Sequence, residues 1–337
     1  MALCIYESTQ RIYHADMIRP HPDKILLTGA SGTLGYNVVQ HLATTHPFTQ
    51  IFLLMRSPDQ ALFANCGNVK ILHVDMFDSV ALKQSVFDVQ PNAIIHCAAS
   101  GVRPSRISWF DLIELNVQST NHLFQASCEV EGCHFIHIST GLVYREQDRV
   151  YHEDDPIDTL HPYGASKAAA DCLLRAGADR LKRHLTIVRP FSFTGLHDGG
   201  DRLFPSLLRA ALERRPFNMS LGNQLRDFCA VQDVAEAIRL IIDENGTPGC
   251  NVFNVGSGRS LPLRSIVETV CLELNINVDI KFGNVPFHPY EPMHLVADIG
   301  RVQALGWRPR TNLAYAVWQL AQSQYCNLAV REPKRFQ

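Results

Sequence analysis

Residues 25–42 read "ILLTGASGTLGYNVVQHL". An apolar run meets three glycines, Gly29, Gly32 and Gly35, and passes into apolar residues at helical spacing. Glycines at such a junction let backbone N–H groups and the positive end of a helix approach a pyrophosphate. Gly29 is expected to end a first strand and Gly32 to open the helix. Ser31, Thr33 and Leu34 fall within the same turn, and Gly35 lets the helix pack closely on the strand. Taken alone, such a turn is equally a plain tight connection, so its meaning depends on the pattern of the downstream chain.

That downstream chain alternates regularly. "KILLTG" (24–29), "QIFLLMRS" (50–57), "NVKILHVDM" (68–76), "NAIIHCAA" (92–99), "CHFIHIST" (133–140) and "LTIVRPF" (185–191) are short aliphatic runs separated by longer helical patterns. Runs apolar on both faces, spaced by helices, predict a parallel sheet covered on both sides. The fold class is therefore α/β, a doubly wound, Rossmann-like parallel sheet. Beyond Phe191 the rhythm loosens. Helices are predicted near 203–214, 232–243, 263–274 and 312–325, and strands at "CAV" (229–231) and "VFNVG" (252–256). Residues 24–190 are expected to form a dinucleotide-binding unit, with returning segments near 228–257. Residues 191–227 and 258–330 form a smaller C-terminal lobe for the substrate, and residues 1–23 an extension.

Composition narrows the classes of partner. Over 337 residues the formal charge is −2, which offers no basic footprint for nucleic acid and no polybasic patch for a membrane. No apolar run approaches the roughly 18 residues of a membrane span. The first residues carry Glu7, Arg11, His14, Asp16 and Arg19, which does not fit a signal peptide. Ten cysteines are scattered, and the closest pair, Cys128 and Cys133, has neither CxxC nor zinc-ligand spacing. Free thiols in a reducing, cytoplasmic compartment are the expectation. The fifteen histidines include no HExxH, so no metal is assigned.

After the second strand come Met55, Arg56 and Ser57. An acidic residue there would accept the ribose hydroxyls of NAD, whereas Arg56 suits a 2′-phosphate and so favours NADP over NAD. The alternative is a solvated arginine on a loop. Asp75, with Met76 beside it, ends the third strand and is placed to meet the adenine amine or to cap the next helix.

A second motif, "HPYGASKAAADCLL" (161–174), sets Tyr163 and Lys167 four residues apart, on one face of a helix. An ammonium beside a phenol favours the phenolate, so Tyr163 could exchange a proton with a substrate oxygen near neutral pH. Upstream, "ISTGLVY" (138–144) offers Thr140 as a hydrogen-bond partner for the reacting oxygen, with Ser139 in support. His96 and His137 lie on apolar strands and are expected to be satisfied core imidazoles. "HEDDP" (152–156) is expected to be surface charge, and "RLFPSLLRAALERRP" (202–216) to close a pocket with Arg202 and Phe204 as walls.

The chain resembles an extended short-chain dehydrogenase/reductase of the nucleotide-sugar epimerase/dehydratase family. Besides the motifs above, the resemblance rests on "HCAA" (96–99), "LNVQSTNHLF" (115–124), "RPFSFTG" (189–195), "RDFCAVQDVAEAI" (226–238), "FNVGSG" (253–258) and "LGWRPRTNL" (305–313). It implies that Tyr163 is the acid/base, that Lys167 orients the nicotinamide ribose and lowers the Tyr163 pKa, and that Thr140 polarises the sugar oxygen. Ala98, Ala99 and Pro190 would line the cofactor. Ser192, Phe204 and Arg226 would meet a nucleotide-sugar substrate, Arg226 at its diphosphate. Asn116 would make a helix-internal hydrogen bond or serve a proton relay, and relatives suggest a homodimer.

Three departures bear on the substrate: Ser192 replaces a family Asn, Arg145 replaces a Gly, and Gly141 and Leu142 replace the Asp and Glu of the 4,6-dehydratases. Without that acid pair, elimination of water lacks its general acid and base. An NADPH-dependent 4-keto-6-deoxysugar reductase leads. A 4-epimerase with retained cofactor comes second, and a catalytically silent cofactor-binding sensor third.

Overall fold

The computed structural model describes residues 21–57, 59–101, 108–244 and 249–336. Most of the expected extension, residues 1–20, lies outside the described residues. Six strands match the six apolar runs: β1 (Lys24–Thr28), β2 (Gln50–Met55), β3 (Val69–His73), β4 (Ala93–His96), β5 (His134–Ile138) and β6 (His184–Pro190). With the strand Gly249–Val255 they form one seven-stranded sheet in the order Gly249–Val255, β6, β5, β4, β1, β2, β3, and every pairing is parallel. The order reverses between β1 and β4, which opens a crevice at the carboxyl ends of those strands.

Period-two alternation sends neighbouring residues to opposite faces. Ile25, Leu27, Ile51 and Leu53 pack with α1 (Thr33–Thr45) and the helix Val231–Asp243. Leu26, Leu54, Ile94 and Phe135 face the other way, toward α2 (Ser79–Val89), α4 (Thr120–Ser127), which follows the short α3 (Trp109–Ile113), and α5 (Pro162–Leu181). Both faces are thus buried, as β-strands rich in Ile and Leu require. A separate apolar cluster joins the helices Leu203–Leu212, Leu263–Leu274 and Leu313–Gln324.

Two local predictions change. β3 ends at His73, so Asp75 sits in the turn beyond the strand and its carboxylate accepts the Phe77 N–H (3.0 Å). Asp78, not Asp75, caps α2 by accepting from Val80 and Ala81. "CAV" contributes to the strand Phe228–Ala230, which pairs with Ser192–Thr194 outside the main sheet. Among the described residues, no helix is long and apolar enough to cross a membrane.

Candidate active site

A cleft of about 510 Å³ opens at the carboxyl ends of β1, β4, β5 and β6. One wall is the glycine turn: Gly29, Gly32, Thr33, Leu34 and Gly35. Gly29 has φ +75°, and a Cβ there would lie 2.5 Å from the Ala98 nitrogen. A Cβ on Gly35 would lie 2.2 Å from the Gly29 carbonyl oxygen, so α1 can approach β1 only without side chains. No side chain caps α1 and no acid sits in its first turn, which leaves the positive helix end facing the cleft.

The opposite wall carries Ser139, Thr140, Gly141, Leu142 and Tyr163. Thr140 heads the short turn Gly141–Val143, and its Oγ1 accepts the Leu142 N–H (3.2 Å). Its own hydroxyl proton therefore remains to be donated. Tyr163 follows Pro162 in the first turn of α5, whose N-cap is His161. The phenol is 7% exposed. Burial pushes it above its ordinary value, Arg202 pulls it back, and Asp171 adds to the rise. Arg202, expected only as a pocket wall, is thus also a cation acting on the free phenol.

Lys167, one helical turn after Tyr163, is fully buried behind the cleft, and its Nζ has no hydrogen-bond partner among the described residues. Burial lowers it to about 8, against the opposing charge of Asp171. A buried ammonium without a partner suits a ligand hydroxyl. Together with the uncapped helix and the glycine cradle, it fits a bound dinucleotide.

The supporting polar residues differ from expectation in several places. His96 is satisfied, with Nδ1 2.7 Å from Thr28 Oγ1 and Nε2 2.8 Å from Thr120 Oγ1, and burial pushes it down to about 3. His137 is not: neither ring nitrogen has a partner among the described residues, and Nε2 lies 3.7 Å from Asp171 Oδ1. Asn116 makes no helix-internal side-chain bond. Its amide donates to the Ser100 carbonyl (2.9 Å) and Ser166 Oγ (2.9 Å) and accepts the Ser100 N–H (2.8 Å). It thereby ties the loop after β4 to the Tyr163 helix.

Pro190, Ser192 and Arg202 also line the cleft, as does Ala99. Ala98 and Ser31 lie in the adjoining turns without lining it, and Ser57 and Met76 flank the ends of β2 and β3. Arg56 is exposed one residue beyond β2 and makes no ion pair with another described residue. Phe204 does not line the cleft. It is 1% exposed and packs edge-on against Phe228 (5.4 Å), because the apolar face of its helix turns into the lobe's core. Arg226 lines a second cleft of about 180 Å³ with Phe228, Ser257 and Arg259, and Glu291 binds its Nη2 at 2.8 Å. Arg145 pairs with Asp158 at the surface (2.7 Å).

"HEDDP" is more than surface charge: Glu153 is buried and accepts the Asn254 N–H (3.0 Å). The sequence reading also missed Asp171 and Arg189, a fully buried ion pair at 3.0 Å. Its signals were an acid one turn after Lys167 and an arginine inside an apolar strand. Among the described residues, His21, His46 and Asp243 alone have metal-compatible spacing. Both imidazoles already bond the same Asp243 oxygen, and His46 caps the far end of α1 from the glycine turn.

A doubly wound sheet whose glycine turn shares a cleft with a Thr and a YxxxK helix defines a dinucleotide-dependent enzyme of the short-chain dehydrogenase/reductase class. Residues 25–256 match the family model described as the NAD dependent epimerase/dehydratase family. The chain belongs to that family. It is 26% identical over 301 residues to the dTDP-D-glucose 4,6-dehydratase of Bos taurus, covering 85% of this chain and 84% of that one. Among solved structures, MoeE5 in complex with UDP-glucuronic acid and NAD is 26% identical with a TM-score of 0.78, covering 90% of this chain and 100% of that one. The fold is also that of UDP-glucuronic acid 4-epimerase from Bacillus cereus, in complex with UDP-glucuronic acid and NAD (23% identity, TM-score 0.77, 89% and 98% covered).

Proposed function

We propose that this protein is an NADP(H)-dependent oxidoreductase of a nucleotide-linked sugar, a 4-keto-6-deoxysugar reductase. One observation carries the proposal: the cleft that joins the uncapped glycine turn to Thr140 and Tyr163 carries no acid beside Thr140, and the Phe191 ring crowds the position where one would stand. A Cβ on Gly141 would lie 3.0 Å from three atoms of the Phe191 ring, and the next residue is the apolar Leu142. Elimination of water would lack its acid and base, whereas carbonyl reduction needs, besides the hydride, only the proton that Tyr163 can give.

A bound nicotinamide dinucleotide would supply the hydride. Gly32, Thr33, Leu34 and Gly35 would hold its pyrophosphate, and Lys167 would hydrogen-bond its ribose. Thr140 donates to the sugar oxygen, and Tyr163, kept neutral by burial, gives that oxygen its proton as the carbonyl becomes an alcohol. A neutral phenol favours the reductive direction. Residues 24–190 with the returning strand Gly249–Val255 then serve the dinucleotide, and the rest of the C-terminal half serves the substrate. The nucleotide would lie toward Arg226, whose charge Glu291 partly offsets. A homodimer in a reducing, cytoplasmic setting completes the proposal, supported in its redox part by nine unpaired described cysteines.

The NADP preference rests on Arg56, exposed and without an ion pair to another described residue. Arg56→Ala is expected to weaken NADPH binding about tenfold and to leave NADH within about twofold. Nicotinamide fluorescence titration measures both, and an unchanged preference would defeat the phosphate assignment. Similarity in fold to solved 4-epimerases favours one second function, epimerisation with a retained cofactor. Mass spectrometry of the purified protein separates the two: tightly held NAD supports epimerisation, and loosely held NADP(H) supports reduction.

A further inference from the structure

We infer that Asp171 is a positioning residue for Lys167, and that Arg189 controls it by holding one of its two carboxylate oxygens. The inference rests on Lys167 belonging to the active site, as proposed above. Asp171 and Lys167 are both fully buried and lie one turn apart on the same face of α5. Asp171 Oδ2 accepts from Arg189 Nε (3.2 Å) and Nη2 (3.0 Å). Oδ1 has no hydrogen-bond partner among the described residues, and neither has Lys167 Nζ. The carboxylate is thus clamped on one side, while its other oxygen faces His137 Nε2 (3.7 Å) and the Ser139 side chain.

Arg189 cannot swing away. Its Nη1 also donates to Tyr144 Oη (2.9 Å) and to the Glu153 carbonyl (3.2 Å). The other groups around Lys167 are neutral near pH 7. Cys97, just after β4, is pushed up to about 12 by burial, and His96 on β4 is pushed down to about 3. Burial also holds His137 on β5 well below its ordinary value and Tyr163 on α5 above its own. The charge balance at the lysine therefore lies between Asp171, which favours the ammonium, and Arg189, which draws on the same carboxylate.

The test needs no substrate. The full chain and its Lys167→Met counterpart are unfolded across pH, and the pH at which the slope of their stability difference reaches half its full value marks Lys167 titration in the folded state. NADPH fluorescence titration across pH gives a second midpoint. Asp171→Asn is expected to move both midpoints down by about one pH unit or more, and Arg189→Met to move both up. Asp171→Glu and Arg189→Lys, which keep the charges, should stay near the parent midpoint. The two neutral variants are read independently, so either one that folds decides. An unmoved midpoint, or movement of both in one direction, overturns the inference. A failure here leaves the reductase proposal standing, and inactivity toward keto sugars leaves this result standing.

Discussion

Tyr163→Phe is expected to lower turnover by about 10³-fold while leaving dinucleotide affinity within about twofold. The substitution removes one oxygen and keeps the ring that fills the first turn of α5. Because the phenol is 7% exposed, bulk water has poor access to replace its proton. A loss of that size corresponds to about 4 kcal/mol of transition-state stabilisation. Steady-state rates give kcat, and NADPH fluorescence gives affinity. Parent-like rates in the variant would remove Tyr163 from the chemistry.

Lys167→Met should do two opposite things: abolish most turnover and stabilise the fold. The lysine falls from an ordinary 10.5 to about 8 through burial, which corresponds to about 3 kcal/mol at neutral pH. The sign comes from proton counting. Between about pH 8 and 10.5 the unfolded chain binds the proton and the folded chain does not, so stability rises with pH across that window. Below about pH 8 the folded state carries the full cost of a buried ammonium. Methionine, of similar length and apolar, removes that cost. The variant should melt about 5 °C higher at pH 7, and the gap should close between about pH 8 and 10.5. Calorimetry across pH measures it. A less stable variant, or a gap independent of pH, would contradict a lysine held for function at the expense of stability.

Much of the architecture was legible because parallel strands buried on both faces must be continuously apolar, and the six runs are. Their common direction brings Gly29, Thr140 and Tyr163 to one end of the sheet, so three distant motifs predict one cleft. What the sequence did not disclose depends on partners far along the chain. Phe204 belongs to an amphipathic helix, but which face turns inward is set by the helices Leu263–Leu274 and Leu313–Gln324. Arg226 meets Glu291, 65 residues away, and Glu153 meets Asn254, 101 residues away. His137 looked like an ordinary core histidine because its strand is apolar, and only the packing of α5 on β5 and β6 sets it beside Asp171 and Arg189. The Gly141 effect was legible only as a missing acid. The Phe191 ring that crowds this position is a tertiary fact.

The most direct measurement mixes the purified protein with NADPH and a nucleotide-linked 4-keto-6-deoxysugar and tracks both the loss of reduced-nicotinamide absorbance and the sugar product by mass spectrometry. Stoichiometric NADPH consumption with a gain of two hydrogens in the sugar, absent in Tyr163→Phe, is the expected result. No consumption, together with loss of water from an unmodified nucleotide sugar, would contradict it.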